Sequence, residues 1–171
     1  VPTDETFVMM SNHESLFDVP MIYRAVPRTI RMVTKKELFR IPLWGRALRQ
    51  SGFFEMDRDN RERAVETLRG AAKVLSEGIN VWISPEGRRP KHATGLGPFK
   101  KGGFMLAIEA GARILHTEIS GTREILPPGA ARALNFSKSL TFPRMVNQES
   151  GFYVAPAASD GDFDLAFDLL Q

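Results

Sequence analysis

The sequence predicts an α/β fold, a single domain over residues 1–171 in which helices flank a largely parallel, mixed sheet. Three observations carry the prediction. Strand-like and helix-like segments alternate along the chain. Its 171 residues suit one domain of ~100–200 residues, a size that buries roughly 70% of the unfolded chain's surface without a disulfide or metal. The composition, 43% apolar and 25% charged, is that of an ordinary globular chain.

The elements follow in order. Phe7 to Met10 is a short apolar run feeding a polar Ser11-Asn12 turn, hence a strand. Val19 to Ala25 reads as a helix ended by Pro27. Ile30 to Val33 reads as a second strand, with short helical pieces around Lys36 to Phe39 and Leu43 to Gln50. Phe53 to Met56 is strand-like. The clearest helix spans Arg61 to Glu77: Ala64, Val65, Leu68, Ala71, Ala72 and Leu75 repeat at three and four, Asp59 or Asn60 can cap it, and Gly78 stops it. Ile79, Val81 and Ile83 alternate as a strand that breaks at Pro85. Gly103 to Ala110 is a helix closed by Gly111, and Ile114 to Ile119 a further strand. Phe163, Phe167 and Leu170 sit at helical spacing in a terminal helix from about Asp160.

Much chemistry is excluded at once. There is no cysteine, so no disulfide scaffold, thiol nucleophile or thiolate zinc site. The three histidines are scattered singly, and no metal site is expected. Gly95-Leu96-Gly97 lacks the third glycine of a dinucleotide loop, and neither a Walker loop nor a nucleophile elbow is present. No stretch approaches the ~18 apolar residues of a membrane span. The net charge is +3, but eight basic residues (Arg24, Arg28, Arg31, Lys35, Lys36, Arg40, Arg46, Arg49) stand against one acid, Glu37, between positions 24 and 49. Interleaved with Leu38, Phe39, Ile41, Leu43 and Trp44, they suit an anionic surface or a phosphorylated ligand, or simply form a solvated basic face.

Three weak signals stand in order. In Asn12-His-Glu-Ser-Leu-Phe-Asp18, a histidine at a strand end could be tied to a carboxylate, the arrangement of a general base near neutral pH. Residues five apart lie about 140° apart on a straight helix, so the pair needs a turn between them. A competing reading makes Ser11-x-x-Glu14 a capping box and Asp18 a helix N-cap. Gly52 to Arg58 is a strand leading to an Asp57-Arg58 pair. Ser84-Pro-Glu-Gly-Arg-Arg89 places two arginines, suited to a phosphate, after a strand, and Lys100-Lys101 precede a helix N-terminus that favours anions.

Taken together these segments resemble the glycerolipid acyltransferase family, of the type that acylates 1-acylglycerol 3-phosphate. Its members carry Asn-His-x4-Asp, a lysine-rich segment, Gly-x4-Asp-Arg, Phe-Pro-Glu-Gly-Thr-Arg, Phe-Lys-x-Gly and Ile-Ser-Gly. Here they stand as Asn12 to Asp18, Thr34-Lys35-Lys36, Gly52 to Arg58, Ser84 to Arg89, Phe99 to Gly102 and Ile119-Ser120-Gly121. The resemblance covers about residues 7–129 and leaves the C-terminal part unmatched. It implies that His13 takes the proton of a lysophospholipid hydroxyl as that oxygen attacks an acyl thioester, with Asp18 orienting it. Lys35 would stand near the reacting carbonyl, where charge stabilisation is a large catalytic term. Arg58 and Arg89 would hold the acceptor's phosphate, and Glu86 and Gly87 would form the floor, where a backbone N–H could help hold the oxyanion. The partners implied are a lysophospholipid, acyl-CoA or acyl carrier protein as donor, and an anionic membrane surface on whose cytoplasmic side the protein sits peripherally; no nucleic acid and no cofactor beyond the donor are expected. Alternatives keep the chemistry with another lysophospholipid, glycerol 3-phosphate or a lyso-aminolipid, replace the alcohol by water, or leave a membrane-binding relative without turnover. Members usually carry an N-terminal helical segment that seats them on the membrane; either that segment lies outside the twelve residues before His13, or the basic block from Arg24 to Arg49 makes the membrane contact alone. The chain departs from the family at Ser84 (usually Phe), Arg88 (usually Thr) and His116-Thr117 (usually Pro-Val).

Overall fold

A computed structural model describes residues 5–89 and 96–127 and the short strand at 145–146. The apolar run Phe7–Ser11 forms β1 and is buried at every position, as a strand must be when both faces of its sheet are covered. The remaining strands are β2 (Ile30–Lys35), β3 (Phe54–Met56), β4 (Asn80–Ile83), β5 (Arg113–Ile119) and β6 (Met145–Val146), in the order β3-β2-β4-β1-β5-β6. The first five are parallel, with Val8 opposite both Val81 and Ile114 and Val33 opposite Phe54. Only β6 runs antiparallel, against β5. The largely parallel, mixed sheet is therefore as expected.

Helices α1 (Asp18–Ala25), α2 (Trp44–Gln50), α3 (Arg61–Ser76), α4 (Gly102–Ala110) and α5 (Thr122–Ile125) follow their strands, with a 3-10 turn at Lys36–Arg40. On one face Phe7, Met9, Met32, Trp82 and Ile119 pack with Ile22 and Val26 from α1 and its end. On the other, Val8, Met10 and Val81 pack with Ala71, Val74 and Leu75 of α3 and Leu106 and Ala107 of α4. Asn60 caps α3, its side chain accepting from the Arg63 N–H at 3.1 Å, a contact that contributes about 1 kcal/mol.

The structure revises the sequence reading in three places. The strand read from Ile79, Val81 and Ile83 begins at Asn80, and Asn80 and Trp82, between the alternating positions, are buried as well. Helix α5 has no counterpart among the expected elements, since four residues show no helical period. The exposed His116 and buried Thr117 lie in an uninterrupted β5, paired to β1 as far as Ser11, so that departure leaves the strand intact. The terminal helix expected from Asp160 lies outside the described residues, among which no helix is long and apolar enough to cross a membrane.

Asn80 has no exposed surface; its carbonyl oxygen accepts from the Phe7 N–H at 3.1 Å and its amide donates to Thr29 O at 3.1 Å. It ties the start of β1 to the entrance of β2 through the strand between them. Asn80→Ala strands the buried Phe7 N–H and is expected to lower unfolding free energy by about 2–3 kcal/mol, measured by urea denaturation.

Candidate active site

The turn after β1 does what the spacing of His13 and Asp18 requires. Chain 12–17 folds back before α1 opens at Asp18, and His13 Nδ1 lies 2.6 Å from Asp18 Oδ2. Asp18 is fully buried. Its Oδ2 also accepts from the backbone N–H groups of Glu14 (2.8 Å) and Ser15 (3.1 Å), and its Oδ1 accepts from the Thr122 hydroxyl. With three fixed donors around it the carboxylate acts as an acceptor, so Nδ1 carries the imidazole hydrogen and Nε2 keeps its lone pair. The capping alternatives fail. The Asp18 side chain turns back to the preceding loop rather than onto its own helix, whose N-cap, Phe17, makes no side-chain cap bond. Ser11 Oγ donates to Asn12 O at 2.9 Å instead of capping.

Around this pair the structure is tied across the chain. The Trp82 ring stands edge-on to His13, centroids 5.6 Å apart at 83°, and its Nε1–H donates to Ser11 Oγ at 2.8 Å. The Asn12 amide makes two 2.7 Å bonds to the backbone of Ile119, donating to its O and accepting from its N–H. Ser15 Oγ donates to Leu126 O at 2.7 Å. Thus the His13 turn is stitched to the end of β5 and to α5 on both sides. Burial, and then the nearby Asp18 charge, pushes the Glu14 carboxyl up, with Arg123 opposing.

The remaining expected residues follow the carboxyl ends of neighbouring strands. His13 lies beyond β1, Glu86, Gly87 and Arg89 beyond β4, Lys35 ends β2, and Arg58 lies two residues past β3. The strand order therefore lines up Arg58, Lys35, the Glu86–Arg89 turn and His13 along one edge, the edge at which parallel α/β sheets receive ligands. Neighbouring strands are ~4.8 Å apart, so three steps separate β3 from β1 by roughly 14 Å at the backbone. No direct bond joins His13 to the cations. Among the described residues Lys35, Arg58, Arg88 and Arg89 form no salt bridge. Arg58 is exposed at its surface, yet desolvation by the protein around it holds its pKa below the ordinary arginine value; Glu37 opposes this and Arg88 adds to it. The guanidinium stays charged regardless. Of the two charges acting on Arg58, Glu37 is the stronger and Arg88 the weaker.

Contrast Lys36, one residue from Lys35. Its Nζ donates to Asp57 at 2.6 Å and Asp59 at 2.9 Å, raising its own pKa and lowering that of Asp57. Lys36 and Asp57 line a groove of about 300 Å³ between β3 and α3, together with Arg40, Glu55, Arg63 and Glu66. Its charges already answer one another, so it offers an anion less than the edge above His13 does.

Glu86 is buried, with Oε2 accepting from the Gly97 N–H at 2.7 Å and Oε1 without a partner among the described residues. It pins the loop after β4. Gly87 has φ +69°, a left-handed conformation that favours glycine. Its N–H donates to Ser84 O at 3.0 Å and closes a turn. The Gly87 N–H is thus occupied within its own turn, and Gly87 contributes backbone shape. Two residues were missed altogether, Trp82 and Thr122. Trp82 could have been found from its place two residues before the Ser84 segment, and Thr122 from its place directly after Ile119-Ser120-Gly121.

The comparisons with known proteins follow this geometry. The acyltransferase family model matches residues 1–120, a span holding every site residue expected above. A chloroplastic 1-acyl-sn-glycerol-3-phosphate acyltransferase of Brassica napus is 31% identical over 133 residues, 78% of this chain and 38% of that protein. The 1-acyl-sn-glycerol-3-phosphate acyltransferase of Haemophilus influenzae is 37% identical over 117 residues, 67% of this chain and 48% of that one. The crystal structure of the 1-acyl-sn-glycerophosphate acyltransferase from Thermotoga maritima superposes with a TM-score of 0.64 at 33% identity, covering 76% of this chain and 51% of that one. The chain spans less than half the length of these two curated relatives. With its fold, its ordered motifs and a family match over more than two thirds of its residues in agreement, the chain belongs to the acyltransferase family.

Proposed function

We propose that this protein transfers a fatty acyl group from acyl-CoA or acyl carrier protein to the free hydroxyl of 1-acylglycerol 3-phosphate, giving phosphatidic acid at the cytoplasmic side of an anionic membrane. One observation carries the reading: an imidazole held by a buried carboxylate shares a sheet edge with arginines that form no salt bridge among the described residues. His13 Nε2 takes the hydroxyl proton as the alkoxide oxygen bonds to the thioester carbonyl carbon. The tetrahedral intermediate then expels the thiolate, and the imidazolium returns its proton to that sulfur. No acyl-enzyme forms. Asp18 holds the ring in its tautomer and stabilises the imidazolium. Arg58 and Arg89 grip the acceptor's phosphate, and Lys35 faces charge building on the carbonyl oxygen. The relatives' names support the acceptor, and the cations support a phosphorylated one.

The deciding assay is thiol release from acyl-CoA, with 1-acylglycerol 3-phosphate, with other lysolipids and with no acceptor. Release that depends on the phosphorylated acceptor supports the reading; equal release without acceptor makes the protein a thioester hydrolase. His13→Ala is expected to cut turnover by on the order of 10²–10⁴-fold with unfolding behaviour unchanged. Arg58→Ala and Arg89→Ala should raise the acceptor's KM well above their effect on the donor's KM, and equal effects would remove the phosphate assignment. Thr122 acts on the base only through Asp18. Thr122→Val should lower kcat with little change in either KM and shift the acidic limb of the kcat–pH profile, whereas Thr122→Ser should restore both. A lower melting temperature with an unmoved profile would leave Thr122 a structural residue.

A further inference from the structure

Three exposed apolar residues cluster at one tip, the segment Ile41-Pro42-Leu43-Trp44 between the 3-10 turn and α2, and Leu43 is the most exposed large apolar residue among the described residues. Leu43 is 85% exposed, Trp44 53% and Ile41 47%. Leu43 is also the one non-glycine residue with positive φ among the described residues, at φ 63° and ψ −51°. The Trp44 N–H donates to Pro42 O at 2.7 Å across it. This is the strained form of the γ-turn, which persists only where its surroundings impose it. Here they do. The Gly45 N–H donates to Ile41 O at 2.7 Å, and a Cβ at Gly45 would lie 2.0 Å from Phe39 O, so only glycine lets α2 seat against the 3-10 turn. Arg49 donates to Phe39 O at 2.8 Å and stands 5.6 Å from the ring of that buried residue. A rigid base thus holds a leucine and a tryptophan out in water.

The geometry points to a membrane wedge: Ile41, Leu43 and Trp44 insert between the headgroups of an anionic bilayer while the cations beside them bind its surface. Charge selects this occupant. Arg40 and Arg46 flank the tip, exposed and outside any ion pair among the described residues, within the stretch where eight cations meet one acid. A short apolar insertion backed by a basic ring binds anionic lipid reversibly, which neither element achieves alone. The tip begins six residues after β2 ends, at the edge that carries Lys35 and His13. The wedge rests on the lipid acyltransferase reading for its purpose, since it would bring that edge to its substrate.

The test uses vesicles of phosphatidylglycerol and phosphatidylcholine against phosphatidylcholine alone. Of the two tryptophans, Trp82 is buried, so a blue shift of emission on binding reports Trp44. We expect that shift with anionic vesicles, and a loss of vesicle affinity of roughly tenfold or more in the double variant Leu43→Ser, Trp44→Ser. Val65→Ser, an exposed apolar control on α3, should bind as the parent does. Both variants should keep parental thiol release with a short-chain, monomeric lysolipid acceptor. Unmoved emission, or parental affinity in the double variant, overturns the wedge. So does sedimentation showing that the parent self-associates through the tip and the double variant does not. If binding behaves as expected but no form releases thiol with any acceptor, the acyl-transfer reading falls and the wedge stands.

Discussion

A carboxylate with no exposed surface is tolerable only if donors replace the water it gave up, and Asp18 is surrounded by four of them. Two come from the turn that follows β1, one from His13 and one from Thr122, more than a hundred residues along the chain. The cost of burying that charge therefore locks three parts of the protein together. Removing any donor leaves an excess of negative charge in a dry site, which strongly disfavours alternative positions of the turn. The imidazole inherits that rigidity. Trp82 reinforces it from the side, because its own N–H is anchored on Ser11.

The sheet supplies the second constraint. Parallel strands send every carboxyl end to the same edge, so residues that are far apart in sequence but just past their strands arrive there without any special contact between them. Arg58, Lys35, Glu86 and His13 are placed by the order β3-β2-β4-β1, and a change in strand order would scatter them. Asn80, bridging Phe7 and Thr29, secures the middle of that order.

The elements with long periods were legible in the sequence: the alternation of apolar positions located α3, and the continuous apolar run of Phe7 to Met10 located a strand buried on both sides. The His13–Asp18 pair was legible as a possibility, but spacing alone could not separate a base and its carboxylate from two helix caps. That decision lies in where the Asp18 oxygens point, and the donor that settles it at Oδ1 comes from a four-residue helix too short to show periodicity. Local pattern likewise could not reveal that the Gly87 N–H is consumed by its own turn, because a strand-to-loop break is compatible with either orientation of that peptide. The protruding tip was visible as apolar residues among cations. Its strain was not, since nothing in Pro42-Leu43-Trp44 demands a positive φ; the close seating of Gly45 against Phe39 and its bond to Ile41 O impose it from outside.

Arg88 shows how a departure from the family pattern bears on the reaction. A threonine there would add a hydroxyl, whereas this chain adds a full charge close enough to Arg58 to depress its pKa. Burial depresses the Arg58 pKa first, and of the two charges acting on it Glu37 outweighs Arg88. A phosphate dianion held by the two guanidiniums would satisfy several N–H donors at once. Under the proposed acyl transfer, Arg88 therefore adds a further cation beside Arg58 and Arg89, the pair proposed to meet the acceptor's phosphate, where the family usually has a neutral hydroxyl.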